Sequence, residues 1–173
     1  ELMSEVYELD RTYTSMRGPG STQTFPLDTS GEAEMLWITG FQAIVVGPDG
    51  ESPRSQEYMC HSMLGLRSGS LFTLSQGQQV IDLPEGFGIP VSSVDLLSLT
   101  TQVLNLNGAS ERVRHRVTVR FVKQEDLRGP MKPLFTTGAT GLKLLKGDKA
   151  YFGVREANAA QHGPGCLQGE KAS

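Results

Sequence analysis

Two strand-like runs within residues 96–122 carry the clearest hydrophobic pattern in the chain. In the second run, apolar residues and one histidine occupy alternate positions: Val113, His115, Val117, Val119 and Phe121. The positions between them hold Arg112, Arg114, Arg116, Thr118 and Arg120. The first run alternates in the same way, with one side formed by Leu97, Leu99, Thr101 and Val103. A period of two predicts strands buried on one face, and the Asn-Gly-containing connection at 107–110 predicts an antiparallel hairpin.

Further short runs predict a wholly β fold. The most hydrophobic one, residues 34–46, contains the single tryptophan, and Gly40 in its middle predicts a bulge or a bend. Other strands are predicted within residues 1–15, 56–67, 71–74, 78–83, 142–145 and 151–154, and residues 17–31 are interpreted as a turn followed by a polar loop. We therefore predict an all-β, antiparallel β-sandwich of jelly-roll type with about nine short strands. It would be one domain over residues 1–173, with 156–173 as a loop or tail.

Composition and charge narrow the functional classes. With 38% hydrophobic residues, 20% charged residues and a net charge of −3, the chain has the composition of an ordinary globular domain. The near-neutral charge argues against nucleic acid as the main partner, because duplex binding needs a clustered basic surface. No apolar run reaches the roughly 20 residues of a membrane-spanning helix. The start at Glu1 favours either an exported, processed chain or a trimmed one.

A row of arginines is the one candidate surface for a charged partner. Arg112, Arg114, Arg116 and Arg120 would lie on the outer side of one strand, as a solvent-exposed face or as a surface that docks on an acidic partner. Catalytic motifs are missing: there is no G-x-S-x-G nucleophile elbow, no C-x-x-C pair and no phosphate-binding glycine loop. This pattern favours a protein-binding role over catalysis.

Soft ligands clustered on one predicted strand indicate copper as the candidate metal. Met59, Cys60, His61 and Met63 lie within five residues. Met59, His61 and Met63 would share one face of the strand, with about 7 Å between successive side chains. His115 could meet His61 if their strands are neighbours or face each other. The candidate ligands are therefore His61, Met63 and His115. In the alternative reading, the methionines fill the core and the inward histidine bonds to a backbone group.

The two cysteines leave their own alternatives open. Cys60 and Cys166 permit one disulfide that closes a long loop, which suits an exported protein, or two separate buried thiols. His162 and Cys166 could supply a loop-borne pair of ligands, or they could belong to a plain surface loop. Spacing alone does not choose between these arrangements.

Three segments resemble a known family. They are Tyr58-Met59-Cys60-His61-Ser62-Met63-Leu64, Leu83-Pro84-Glu85-Gly86 and Thr101-Gln102-Val103-Leu104-Asn105. In order, they resemble the His-His-Met strand, the Pro-x-Gly turn and the Gln-Val-His strand of the type II copper, ascorbate-dependent monooxygenases (the peptidylglycine-hydroxylating class) and their bacterial relatives. The resemblance covers residues 33–123. It implies a β-sandwich, an exported setting and copper ligation by His61 and Met63.

The sequence departs from that family at the ligands. Cys60 stands where the family has a paired histidine, and Leu104 or Asn105 stands where a later histidine is expected. A second copper-binding domain has no room in this chain. We therefore predict a non-catalytic, exported accessory or binding subunit that docks on a partner protein, in one variant as an extrinsic subunit of a membrane-associated complex. The alternative is a copper-binding protein or copper-dependent oxidoreductase that uses His61, Met63 and His115.

Overall fold

The computed structural model describes residues 1–27, 32–67 and 69–135, and these form eleven strands. They are β1 (Leu2–Met3), β2 (Tyr7–Leu9), β3 (Gly20–Pro26), β4 (Met35–Val46), β5 (Met59–Leu66), β6 (Gly69–Ser75), β7 (Val80–Asp82), β8 (Phe87–Ser92), β9 (Leu96–Val103), β10 (Glu111–Lys123) and β11 (Lys132–Pro133). Two short 3-10 helices, Gln56–Tyr58 and Gln124–Asp126, precede β5 and follow β10. No α-helix occurs in these ranges, and the predicted all-β class is confirmed.

The strands form two sheets around one hydrophobic core. The larger sheet has the order β1-β10-β4-β8-β11, with β2 also paired to β10 and β7 to β4; only the β8–β11 pair is parallel. The smaller sheet has the order β3-β9-β5-β6 and is antiparallel throughout. Buried residues of both sheets share the core, which agrees with the predicted β-sandwich. The jelly-roll type stays a prediction.

Residues 1–136 form one compact unit. The strands predicted at 142–145 and 151–154 and the tail predicted at 156–173 lie outside the described residues. The organisation as one domain over residues 1–173 therefore stays a prediction.

The predicted hairpin is wrong, because its two strands belong to different sheets. β9 lies between β3 and β5, whereas β10 lies between β4 and the short strands β1 and β2. The connection between them crosses the sandwich: its residue Asn105 exchanges two backbone hydrogen bonds with Tyr13, of 2.8 and 2.9 Å. The predicted buried sides of the strands are nevertheless correct over most of their length. Their fully buried members are Leu97, Leu99, Thr101, Val103, Val113, His115 and Val117.

Bulges interrupt the strand pairing at three places in the described residues. In β4 the extra residue is Thr39, next to Gly40, where the sequence predicts a bulge or bend. On the partner strand β10 the register shifts between Arg120 and Phe121. Phe121 lies opposite the buried Ile38 but is 37% exposed, so its predicted burial is wrong. The second bulge lies in β5, where Cys60 is the extra residue opposite β9. The third lies in β6, where Leu71 is the extra residue opposite β5.

Residues 20–26 form β3, although the sequence predicts a turn and a polar loop there. β3 pairs with β9 over its whole length, from Gly20 opposite Gln102 to Pro26 opposite Leu96. It lies at the edge of the smaller sheet, and its side chains are exposed or half-buried. An edge strand has one hydrogen-bonded neighbour and buries little apolar surface. Polar residues such as threonine, serine and glutamine can therefore form it.

Candidate functional site

The solvent side of the four-stranded sheet is a surface without ionisable side chains other than one histidine. We call it the uncharged face, and its side chains are Thr22, Thr24, Ser98, Thr100, Gln102, His61, Met63, Thr73 and Ser75. None of the four strands that build it contains Asp, Glu, Lys or Arg. The solvent side of the larger sheet differs, because β10 carries its arginine row there.

Hydroxyl groups and a few apolar atoms cover the uncharged face. The hydroxyl groups of Thr22 and Thr100 lie 2.8 Å apart and join β3 to β9. Met63 is half-buried near the middle of the face. Leu96, which is 52% exposed, extends it at one end. A surface of this composition binds water less strongly than a charged one does.

The bulge in β5 places His61 on the uncharged face. Because Cys60 is inserted between Met59 and His61, the two flanking residues face opposite ways: Met59 is fully buried and His61 is half-buried. The prediction that they share one face is therefore wrong. His61 lies between Gln102 of β9 and Ser75 of β6. Burial lowers the pKa of His61 below its ordinary value of 6.5, so the imidazole is neutral at pH 7.

His115 lies behind that sheet, within the core. Its Nδ1 is 2.6 Å from the hydroxyl oxygen of Ser62, which joins β10 to β5 across the sandwich. The ring of Tyr7 meets its imidazole edge-on, with 6.2 Å between centroids. In the described part of the chain its Nε2 has no hydrogen-bond partner. Burial, with a smaller contribution from the charge of His61, lowers the pKa of His115 to about 4. It is therefore a neutral structural histidine at pH 7.

These positions separate the three predicted copper ligands. His61 and Met63 face solvent from β5. His115 belongs to β10 of the other sheet and is enclosed in the core, behind the buried side of β5. Within residues 1–27, 32–67 and 69–135, no group of three or more His, Cys, Asp or Glu side chains could hold a metal ion. The copper site at His61, Met63 and His115 stays a prediction, and the geometry does not bring the three onto one face.

The sulfur of Cys60 is buried beside an unusual turn. It accepts a hydrogen bond from the backbone N–H of Met16 at 3.5 Å and lies 3.9 Å from the Ser15 hydroxyl. Met16 has a φ of 63°, in the left-handed region that residues other than glycine seldom adopt. Cys166 and His162 lie outside the described residues. The disulfide and the loop-borne ligand pair therefore stay predictions.

Every arginine of the predicted row has a partner within the chain. The ion pairs are Arg112–Glu8 at 3.0 Å, Arg116–Glu1 at 3.4 Å and Arg120–Asp82. Arg114 instead donates two hydrogen bonds to the carbonyl oxygen of Ser4, of 2.5 and 3.0 Å, and a third to that of Pro48. Three of the four arginines thus hold the N-terminal residues against β10. Docking of the row on an acidic partner stays a prediction.

Two arginines of this row should differ sharply in their effect on stability. Arg114→Ala should lower the free energy of unfolding by about 1–3 kcal/mol, because it removes charge-assisted hydrogen bonds to a half-buried carbonyl. Arg112→Ala, the matched control on the same strand, should cost less than about 0.5 kcal/mol because its ion pair is solvent-exposed. Urea denaturation at pH 7 measures both. Equal losses would show that Arg114 does not anchor the N-terminal segment.

No helix in the described residues is long and apolar enough to cross a membrane. Comparison with family models, curated proteins and solved structures finds no match to this chain. What the protein does must therefore be inferred from its own surfaces.

Proposed function

We propose that this chain is a non-catalytic binding domain, an accessory β-sandwich that docks on a protein through its uncharged face. The observation that carries the proposal is the composition of four adjacent strands, none of which contains Asp, Glu, Lys or Arg. Charged residues usually make up roughly a quarter to a third of a surface. Their absence from a whole sheet face therefore calls for an explanation.

Docking explains this composition on energetic grounds. A charge buried at an interface without a partner loses its hydration at a high cost, and the centres of protein interfaces are accordingly poor in charged residues. The Thr73 hydroxyl can donate and accept hydrogen bonds, and the bonded pair of Thr22 and Thr100 keeps one hydroxyl hydrogen and several lone pairs, so these groups can exchange water for a partner's polar groups. We infer that the partner surface is itself poor in charge.

The arginine row is a weaker candidate for the docking surface. An acidic partner would have to compete with Glu8, Glu1 and Asp82, which already neutralise three of its members. Arg114 is occupied by backbone carbonyl groups. The proposal therefore places docking on the opposite side of the sandwich. It keeps the exported setting, which the family resemblance of residues 33–123 supports, and with it the variant in which the chain is an extrinsic subunit of a membrane-associated complex.

Site-specific cross-linking in the cells that make the protein tests this proposal. A photoreactive benzoylphenylalanine at position 100 should yield a discrete cross-linked adduct, because Thr100 lies on the uncharged face. The same residue at position 118 is the matched control, since Thr118 lies on the solvent side of β10 in the other sheet. Adding Thr73→Lys should abolish the adduct at position 100. Equal adducts at both positions, or none at position 100, would overturn the proposal.

A further inference from the structure

We propose that the occupant of the uncharged face is the same face of a second copy of this chain, in a symmetric dimer. This inference rests on the docking role proposed above and names the partner. In a twofold-symmetric interface each surface patch meets its own copy, so a docking face must be complementary to itself.

The charge distribution favours self-pairing on this face over self-pairing on the arginine row. A net charge on a twofold interface meets the same charge from the partner, and such like-charge contacts weaken association strongly. The arginine row would bring two sets of ion pairs together, whereas the four strands β3, β9, β5 and β6 contain no Asp, Glu, Lys or Arg. Pairing two copies of the uncharged face therefore carries no like-charge penalty.

The polar groups of the face are also self-complementary. A hydroxyl group is both a donor and an acceptor, and the bonded pair of Thr22 and Thr100 keeps one hydrogen and free lone pairs, so the pair of one copy can bond to the pair of the other. The Gln102 amide has the same property. Met63 and Leu96 add flexible apolar surface that adapts to a flat partner.

The size of the face indicates a weak, reversible dimer. Four strands spaced about 4.8 Å apart, each with about seven residues at about 3.3 Å, give a flat area of roughly 19 by 23 Å per copy. Both copies together bury roughly 900 Å² in this projection, below the roughly 1,200 Å² at which standard stable interfaces begin. We therefore expect a dissociation constant in the micromolar range or weaker.

Sedimentation velocity of the purified full chain tests the inference. At pH 7.5, raising the protein concentration from 1 to about 500 μM should convert monomer into dimer. Thr100→Lys should weaken association at least about a hundredfold, and Thr73→Lys, an exposed position on β6, should act in the same direction. Thr118→Lys is the matched control and should leave association unchanged. Circular dichroism confirms that each variant is folded.

A chain that stays monomeric at every concentration, or dimers that survive Thr100→Lys and Thr73→Lys, would overturn the inference. A monomeric chain that still forms a position-100 adduct of another mass in cells would leave the proposed docking role intact.

Discussion

Replacing His115 by asparagine should remove most of the loss of stability that this fold suffers in mild acid. The buried imidazole has a pKa of about 4, whereas the ordinary value of 6.5 applies in the unfolded chain. Between these values the unfolded chain binds the proton and the folded one does not. The contribution of His115 to stability is therefore fully present above pH 6.5 and is lost as the pH falls towards 4. From pH 7.5 to 4.5 this loss amounts to roughly 2–3 kcal/mol.

Urea denaturation at pH 7.5, 5.5 and 4.5 measures the effect. His115→Asn should be less stable than the unsubstituted chain at pH 7.5, because it packs less well in the core, but its stability should change little down to pH 5. His61→Asn is the matched control. It should keep most of the acid sensitivity because His61 is only half-buried. An undiminished slope in His115→Asn would show that other groups cause the acid sensitivity.

Gly18→Ala should be among the most damaging single substitutions in the chain. An added Cβ at this position would lie 1.9 Å from the backbone carbonyl oxygen of Val103, far inside van der Waals contact. Backbone hydrogen bonding fixes this approach: the Val103 N–H donates to the Pro19 carbonyl oxygen at 3.0 Å. The Gln102 side chain donates to the Gly18 carbonyl oxygen at 2.9 Å. The backbone segments around Gly18 and Val103 cannot move apart without breaking these bonds. We therefore expect the free energy of unfolding to fall by about 3 kcal/mol or more.

Thermal unfolding with a matched glycine provides the test. Gly129→Ala places its Cβ in open space, with no atom within 4 Å, and should leave the melting temperature nearly unchanged. Gly18→Ala should lower it by roughly 10 °C. The substitution should also disturb the turn around Met16, and the Cys60 thiol beneath it should react faster with an alkylating reagent. Equal melting temperatures for the two variants would refute the close approach at Val103.

Alternation in the sequence predicts burial correctly but does not identify the neighbour of a strand. The pattern of β10 correctly places His115 and Val117 inside, because one buried face imposes a period of two whatever the partner is. The same pattern suits a hairpin or a crossing between sheets equally well. The choice depends on distant contacts, such as the pair Tyr13–Asn105, that no local signal reveals.

The candidate site was harder to predict than the fold, for two physical reasons. A single inserted residue, Cys60, reverses the direction of Met59 relative to His61, and only the register against β9 shows it. The uncharged face combines strands from distant parts of the sequence, including β3, whose polar composition indicates a loop. One signal was available: the absence of charged residues from 20–26, 59–66, 69–75 and 96–103 can be read directly from the sequence.

The position of β10 also sets the order in which this chain can fold. All of its neighbours in the sheet, β1, β2 and β4, precede it in the sequence, and Arg114 bonds to a carbonyl group 110 residues earlier. During synthesis β1 and β2 therefore stay unpaired until more than a hundred further residues have been added and β10 is complete. Contacts between such distant residues slow folding, so acquisition of the native state should take milliseconds to seconds. Until then, the early strand edges are open to pairing with other chains.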